Sequence, residues 1–239
     1  MNTIKFEKGN TLVVAHRGLS GLEKENTASA FVAAGNRSYY GIETDIHRTA
    51  DGQFIVCHDS TLERVGGEKL PVEEVSLALS QSVTLFDVDG TKGRADLVTP
   101  SLQTYLSIAK KYEKHAVLEL KSEFTDEEIA SIVETVKACY APEHVTFISF
   151  YYDNLTKIRA LLPEQSVQFL FREFTEEIVE KTLADKMDVD VRYTGITEEY
   201  VKLYHEHGRV VNCWTVNTRE DGERLAAMGV DFITTNILE

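Results

Sequence analysis

The amino-acid sequence predicts a (β/α)8 barrel, or TIM barrel, on three observations. Short apolar runs rich in β-branched residues alternate with longer stretches of helical periodicity, which is typical of βα units around a parallel sheet. About eight such runs can be distinguished, the number that closes a barrel. The length of 239 residues suits one barrel, and no linker rich in Pro, Gly or Ser divides the chain. We therefore expect residues 1–239 to form a single domain.

The elements follow one another in a regular order. The predicted parallel strands are residues 12–15, 42–46, 117–120, 145–149, 167–171, 189–192, 210–215 and 232–234. The predicted helices are residues 27–34, 102–112, 126–139, 154–162, 176–184, 198–206 and 220–228. Two helix ends carry recognisable signals, because Thr125 with Glu128 resembles a capping box and Gly208 follows the end of a helix.

Two segments depart from this alternation. The Thr-Ala-Asp-Gly turn at residues 49–52 is too short for a crossover helix, so residues 53–58 should fold back antiparallel on the second strand. The resulting register places His58 opposite Glu43 or Thr44, within one residue. Residues from about 59 to 99 form an insertion between barrel elements, and long insertions on a barrel commonly serve the active-site mouth or cover one end.

Composition and charge exclude several classes of function. The net charge of −14, without a large cluster of Lys or Arg, argues against nucleic acid as a partner. No apolar run approaches the roughly 20 residues that span a bilayer, so stable membrane insertion is not expected. The N-terminus lacks the pattern of a secretory signal, which favours a cytoplasmic protein. The three cysteines are expected to be reduced and inert.

Carboxylates recur at alternate positions on two neighbouring strands. Glu43 and Asp45 are separated by one residue and should therefore point to the same face, and Glu119 and Lys121 repeat this arrangement on the next parallel strand. At the carboxyl ends of barrel strands that face is the usual catalytic mouth. Oxygen ligands of this kind suit a hard divalent cation, which would offset the cost of burying them. The alternative is a salt-bridge cluster around Lys121 or a solvated strand end.

Two histidines are candidates for proton transfer. His16, Arg17 and Gly18 directly follow the first strand, where a barrel places catalytic groups. A histidine can exchange protons near neutral pH, and an arginine can hold a phosphate through two hydrogen bonds. The hairpin brings His58 beside Glu43, so that two histidines should face the same carboxylates. A histidine at a strand end is otherwise often only hydrogen-bonded.

The remaining candidates have less definite roles. His47 lies two residues after Asp45 and should support the site or contact solvent rather than bind a metal. Trp214, near the end of the seventh parallel strand, can belong either to the core or to the pocket wall, and its position favours the wall. The other histidines should lie at the opposite end of the barrel.

Taken together, these motifs closely resemble those of the glycerophosphodiester phosphodiesterase family. The resemblance runs from the Ala-His-Arg-Gly motif at His16 through Glu-Asn-Thr, Ile-Glu-Thr-Asp and Cys-His-Asp to Leu-Glu-Leu-Lys, Trp-Thr-Val-Asn and the final Gly-Val-Asp-Phe-Ile-Thr-Thr. It implies a (β/α)8 barrel with a small insertion after the His-Asp motif. It also implies hydrolysis of deacylated phospholipids to sn-glycerol 3-phosphate and an alcohol, with one divalent cation, Mg²⁺ or Ca²⁺.

The expected roles follow from the residues and the resemblance together. The metal would be bound by Glu43, Asp45 and Glu119, and the substrate by Arg17, Lys121 and Trp214. His16 and His58 would act as catalytic acid and base in an order that the sequence leaves open, with either water or the substrate 2-hydroxyl as nucleophile. Two alternatives stay in view, namely a phospholipase-D-like enzyme acting on lysolipids and a barrel that binds a phosphorylated ligand without turnover.

Two departures from the family pattern concern the C-terminus. The usual Thr-Asp is Thr235-Asn236 here, so a contact at the end of the last strand is expected to differ. The sequence ends at Glu239 and leaves almost no residues for a helix after that strand. The exposed side of the helical ring is therefore expected to be covered by N-terminal residues, by the insertion or by a partner subunit in a possible homodimer.

Overall fold

The computed structural model describes residues 2–239 and contains nine strands and nine α-helices within them. The strands are β1 (Leu12–Ala15), β2 (Gly41–Arg48), β3 (Phe54–Val56), β4 (His115–Leu120), β5 (Val145–Ser149), β6 (Val167–Phe171), β7 (Asp188–Arg192), β8 (Val211–Trp214) and β9 (Phe232–Thr235). The helices are α1 (Ala28–Gly35), α2 (Glu63–Gly66), α3 (Leu77–Gln81), α4 (Leu102–Lys111), α5 (Asp126–Cys139), α6 (Tyr152–Leu161), α7 (Glu176–Ala184), α8 (Glu198–Glu206) and α9 (Arg219–Met228). Most predicted boundaries agree with these within two residues.

The sheet closes on itself as a parallel barrel. Its strand order is β1-β9-β8-β7-β6-β5-β4-β2-β3, and an additional parallel pairing of β1 with β2 completes the ring. Only β3 is antiparallel among the described strands, so the other eight form the barrel wall. The predicted (β/α)8 fold is therefore confirmed.

The hairpin of β2 and β3 has the predicted register. Ile46 pairs with Val56, and the N–H of Cys57 donates to the Asp45 carbonyl at 3.1 Å. Continuing this register by two residues brings His58 to the level of Thr44, although His58 itself lies beyond the end of β3. The short hairpin thus carries His58 back to the strand that holds Glu43 and Asp45.

Alternation along the barrel strands separates the core from the site. On β2, Ile42 and Ile46 pack into the main apolar core between the sheet and the helices. The side chains between them, Glu43 and Asp45, consequently face the barrel interior. The lower interior is filled by a second, smaller apolar cluster built around Val14, Val117, Ile148 and Leu170. The carboxylates therefore sit above an apolar floor.

The segment between β3 and α4 has a small core of its own. It contains the short helices α2 and α3, and Ile55, Leu62, Leu85 and Leu97 are among its buried apolar residues. Because Ile55 belongs to β3, this core is attached directly to the strand that leads to His58. The segment therefore supports the mouth of the barrel from one side.

N-terminal residues pack beside the last strand. Ile4 donates its N–H to the carbonyl of Ile237 at 3.0 Å. Phe6 packs against Leu238 and against Gly222, which belongs to α9. A methyl group at Gly222 would lie 2.9 Å from both the Phe6 and the Leu238 side chains, so the close packing requires glycine there. None of the helices within residues 2–239 combines the length and apolar character needed to cross a membrane.

Candidate active site at the carboxyl end of the barrel

The carboxyl ends of the barrel strands surround a cavity of about 370 Å³, a size suited to a small ligand. Its lining is formed by His16, Arg17, Glu43, His58, Glu119, Lys121, Ile148, Phe150, Leu170, Arg172, Asp190, Trp214, Thr215 and Thr234. Every residue expected from the sequence to act in the site is in this lining except Asp45. Asp45 lies beneath it, within 3.3 Å of Arg17 Nε and 3.5 Å of Lys121 Nζ.

Three carboxylates converge on one wall. Glu43, Asp45 and Glu119 are each at most 8% exposed, and each offers an oxygen within 4.8 Å of the others. Parallel pairing of β2 with β4 sets Asp45 directly beside Glu119. The Oδ1 atom of Asp45 is buried and accepts no hydrogen bond within the described residues. This set of carboxylate oxygens, one of which lacks a hydrogen-bond partner, fits a hard divalent cation.

Burial and the neighbouring charges shift the pKa values of these three carboxyl groups. Burial, together with the charges of Asp45 and Glu119, raises the pKa of Glu43 well above its usual range. Burial and the Asp45 charge raise the pKa of Glu119 to about 8. Burial acts in the same direction on Asp45, but the cations of Arg17 and Lys121 outweigh it and lower the Asp45 pKa. Without a cation the triad therefore retains protons near neutral pH.

The salt-bridge alternative accounts for only part of the cluster. Lys121 pairs with Glu119 at 2.7 Å and lies 3.5 Å from Asp45, as a structural cluster requires. Glu43 is different, because its partners are the backbone N–H of Arg17 at 2.8 Å and the more distant His16 ring at 4.0 Å. A purely structural ion-pair network therefore leaves Glu43 without a side-chain cation.

His16 is held by the last strand of the barrel. Its Nδ1 atom lies 2.7 Å from Oδ1 of Asn236, an amide oxygen that can only accept a hydrogen bond. The proton therefore resides on Nδ1, and the Nε2 atom, which faces Glu43, has a free lone pair. Burial and the neighbouring Arg17 guanidinium lower the pKa of His16 to about 4. His16 is thus a neutral imidazole near neutral pH.

A tight turn after β1 directs Arg17 toward the carboxylates. Arg17 and Gly18 both adopt positive φ angles, of 54° and 75°. This conformation points the Arg17 N–H at Glu43, while the guanidinium Nε lies 3.3 Å from Asp45. A side chain at Gly18 would approach Ala30 within 2.7 Å, so α1 can pack against the turn only if this residue is glycine.

His58 is anchored by a carboxylate rather than by an amide. Its Nδ1 atom lies 2.7 Å from Asp59, which is in turn bound by Arg64 Nε at 2.6 Å. Arg64 also bonds Glu25, and Glu25 bonds Arg17 at 2.8 Å. A continuous chain of ion pairs thus joins the turn that carries Arg17 to the loop that carries His58. Burial lowers the pKa of His58, although its bond to Asp59 acts in the opposite direction.

His47 supports this arrangement from behind. Its ring bonds Glu73 at 2.9 Å and Ser122 at 3.2 Å, and its Nε2 atom lies 3.3 Å from the His58 carbonyl. The side chain is buried and does not line the cavity. The supporting role anticipated for His47 therefore agrees with its position.

The opposite wall, formed by β5 to β8, is mainly apolar. Phe150 and Trp214 meet edge to face with ring centroids 5.8 Å apart, and the Trp214 indole N–H donates to the Asp190 carbonyl at 3.3 Å. The Asp190 side chain is buried, and its Oδ1 atom finds no partner among residues 2–239. Arg172 completes this wall at the end of β6. The position of Trp214 agrees with the expected pocket wall.

Several site residues were not identified from the sequence. Asn26 donates to Asp45 at 2.8 Å, yet its Glu-Asn-Thr motif suggested no role. Asp190 had a usable signal, because the Asp-Val-Asp pattern at residues 188–190 repeats the alternate carboxylates of β2. Arg172 had no local signal of this kind. Asn236 was noted only as a departure from the family pattern at the end of the last strand, and its contact with His16 arises from closure of the barrel.

Comparison with known proteins agrees with this geometry. The model of the glycerophosphoryl diester phosphodiesterase family matches residues 16–239. A glycerophosphodiester phosphodiesterase of Bacillus subtilis (strain 168) is 28% identical over 94% of this chain and 83% of its own length. One from Caldanaerobacter subterraneus subsp. tengcongensis is also 28% identical, over 95% of this chain and 94% of its own length.

Solved structures give the same result. An Oleispira antarctica phosphodiesterase in complex with the product sn-glycerol-3-phosphate superimposes with a TM-score of 0.84 at 25% identity, covering 94% of this chain and 92% of that one. A protein from Silicibacter pomeroyi shares the fold with a TM-score of 0.86 at 24% identity, covering 97% of this chain and 92% of that one. The resemblance noted in the sequence is confirmed: the chain belongs to the glycerophosphoryl diester phosphodiesterase family.

Proposed function

We propose that this protein is a cation-dependent phosphodiesterase that hydrolyses glycerophosphodiesters to sn-glycerol 3-phosphate and an alcohol. The observation that carries the proposal is the convergence of Glu43, Asp45 and Glu119 within 4.8 Å, at the wall of a cavity that two histidines also line. Family membership and the product complex of the Oleispira antarctica relative support the substrate class. Glu43, Asp45 and Glu119 would hold the ion.

A bound divalent cation, Mg²⁺ or Ca²⁺, would supply positive charge to the phosphate oxygens of the substrate. The chain adds its own cations at the same place, because Arg17 and Lys121 both face the cavity. A net charge of −14 would otherwise repel a phosphodiester, so these local charges make binding possible. The side chains of Arg17 and Lys121 also stabilise the negative charge that accumulates in the transition state.

The two histidines divide the proton transfers between them. His16, whose pKa is lowered to about 4, is neutral and offers the Nε2 lone pair as the base that takes a proton from the nucleophile. Burial lowers the pKa of His58, but the Asp59 carboxylate behind its other nitrogen acts against this effect and favours the imidazolium form. His58 therefore gives its proton to the alcohol oxygen as the bond from phosphorus to that oxygen breaks. Each transfer contributes about 10²–10⁴ in rate.

The nucleophile is either water or the 2-hydroxyl of the glycerol moiety. Attack by water gives glycerol 3-phosphate directly, whereas attack by the hydroxyl first gives a cyclic phosphate that water then opens. A 2-deoxy analogue separates the two routes, because rapid hydrolysis of that analogue is possible only with water. Binding without turnover, together with detection of a cyclic phosphate on the normal substrate, would indicate the hydroxyl.

A direct assay tests the proposal as a whole. Glycerophosphocholine, glycerophosphoethanolamine, glycerophosphoinositol and a lysolipid are supplied separately, each with Mg²⁺, with Ca²⁺ or with chelator. The released alcohol is measured together with the phosphate product, which is glycerol 3-phosphate from the three water-soluble diesters and acylglycerol 3-phosphate from the lysolipid. We expect cation-dependent release from the water-soluble diesters. Turnover of the lysolipid alone would favour the phospholipase-D-like alternative, and binding without turnover would indicate a barrel that only holds phosphorylated ligands.

A further inference from the structure

The two walls of the cavity carry charge in different ways. The cations on the wall of β1, β2 and β4 are already paired with carboxylates, since Arg17 bonds Glu25 and Lys121 bonds Glu119. The opposite wall presents Arg172, which lines the cavity directly after the last residue of β6. A substrate thus faces cations that are already paired with carboxylates on one side of the cavity and Arg172 on the other.

Arg172 has no internal partner. Of the arginines within residues 2–239, only Arg172 and Arg192 form no side-chain hydrogen bond or ion pair to the protein. Each of the other nine arginines forms at least one such contact. Both free arginines lie at the carboxyl ends of neighbouring strands, and the pairing of Phe171 with Val191 sets them at the same level. In a chain with a large excess of acidic residues, Arg172 thus lines the candidate active-site cavity, and Arg192 lies beside it at the end of the next strand.

The surroundings of Arg172 do not cancel its charge. Asp190, below it on the same wall, is a buried carboxyl, and burial raises its pKa well above the usual range, which favours the uncharged form. Phe150 and Trp214 are uncharged. Arg172 therefore supplies positive charge to the β5 to β8 side of the cavity lining, with a guanidinium that can form a bidentate bond to an anion.

We propose that Arg172 selects leaving alcohols that bear an anionic group, such as a second phosphate. This inference rests on the proposed function. With the glycerol phosphate moiety held beside Glu43, Asp45 and Glu119, the alcohol half of the diester faces the wall of β5 to β8. An anion on that alcohol meets the unpaired guanidinium, whereas a cationic alcohol such as choline meets a like charge.

A matched pair of substrates tests this selection. Glycerophosphoglycerol is compared with the same diester carrying one additional terminal phosphate on the leaving glycerol, with glycerophosphocholine as the cationic substrate. All three are assayed at one ionic strength in wild-type enzyme, in Arg172→Gln and in Arg219→Gln. Arg219 is an exposed arginine on α9, outside the cavity lining, so its substitution changes the net charge equally without touching the site.

For Arg172→Gln we expect kcat/KM on the phosphate-bearing diester to fall by about tenfold, the order of one charge-assisted hydrogen bond at an exposed position. Glycerophosphoglycerol should change by less than about twofold and glycerophosphocholine should stay equal or improve. Arg219→Gln should leave all three unchanged. An equal loss on all three substrates would assign Arg172 to the scissile phosphate and overturn the proposal, as would unaltered ratios. Wild-type turnover of glycerophosphoglycerol separately reports whether the proposed function itself holds.

Discussion

His16 and Asn236, which are 220 positions apart in the sequence, are joined by a contact of 2.7 Å between Nδ1 and Oδ1. The contact exists because β1 pairs with β9 over its whole length, bringing the ends of both strands to the same edge of the barrel. Asn236 also accepts from Ser20 at 2.9 Å. The imidazole is therefore oriented by a neutral amide.

Asn236→Asp should change the pH dependence of catalysis. A carboxylate at this position favours the imidazolium form, so the pKa of His16 should rise from its present value of about 4. Because His16 acts in its neutral form, activity should then be lost at a higher pH as the solution is acidified. The pH profile of kcat/KM with cation present provides the measurement. Asn10→Asp, an exposed change of equal charge, should keep the wild-type profile.

Glu43→Gln should abolish cation binding while the fold is retained. The substitution removes one oxygen ligand of negative charge, whereas the main core lies outside the barrel wall. Mg²⁺ or Ca²⁺ should raise the Tm of wild-type protein and of the exposed variant Glu164→Gln, but not that of Glu43→Gln. Chelator should correspondingly abolish wild-type activity. Equal stabilisation of all three proteins by cation would contradict the assignment of the triad.

Cation binding should also release protons. Burial and Asp45 raise the pKa of Glu119 to about 8, and the pKa of Glu43 is raised as well, so the free triad holds protons at neutral pH that a bound cation displaces. Affinity should increase between about pH 6 and pH 8, by up to about tenfold per pH unit for each proton released. Titration calorimetry in buffers of different ionisation enthalpy counts these protons. A heat of binding that is independent of buffer would show that the triad is already ionised.

His58→Ala should be sensitive to the leaving group. Choline is a poor leaving group that needs a proton, whereas an aryl alcohol leaves without one. We expect the variant to lose about 10²–10⁴ in kcat on glycerophosphocholine and at least about tenfold less on an aryl diester. His16→Ala should lose activity to a similar extent on both substrates. His207 lies outside the cavity lining, so His207→Ala should keep its activity on both. Equal losses for both site variants on both substrates would assign the histidines to positioning rather than to acid–base roles.

Asp190→Asn should stabilise the protein at alkaline pH. Burial raises the pKa of Asp190 well above the usual range of an aspartate, so ionisation of this carboxyl opposes folding. The destabilisation is absent below about pH 4 and grows as pH rises toward the folded-state pKa, because the unfolded chain ionises first. Replacing the carboxyl by an amide should raise Tm at pH 8 by at least about 2 °C, which corresponds to an increase of ~1 kcal/mol in the free energy of unfolding. Thermal unfolding at pH 4 and pH 8 measures the difference, and an equal change at both would refute the explanation.

Local sequence was sufficient for the barrel and for the positions of the predicted site residues. The period-two pattern of β2 places Glu43 and Asp45 on one face and the isoleucines on the other, and a short turn returns His58 to that strand. Such features depend on backbone geometry over a few residues, which the order of apolar and polar side chains specifies. The family resemblance identified the same positions independently.

The partners of those side chains were decided only by the closed barrel. The amide behind His16 comes from the other end of the chain, and the ion pairs of Glu25 link two loops that the sequence does not relate. The unpaired state of Arg172 likewise depends on which carboxylates lie within reach after folding. A pattern in the sequence specifies the direction of a side chain from its own backbone, but a contact between distant residues requires the whole ring of strands to close, because only closure brings their ends to one edge.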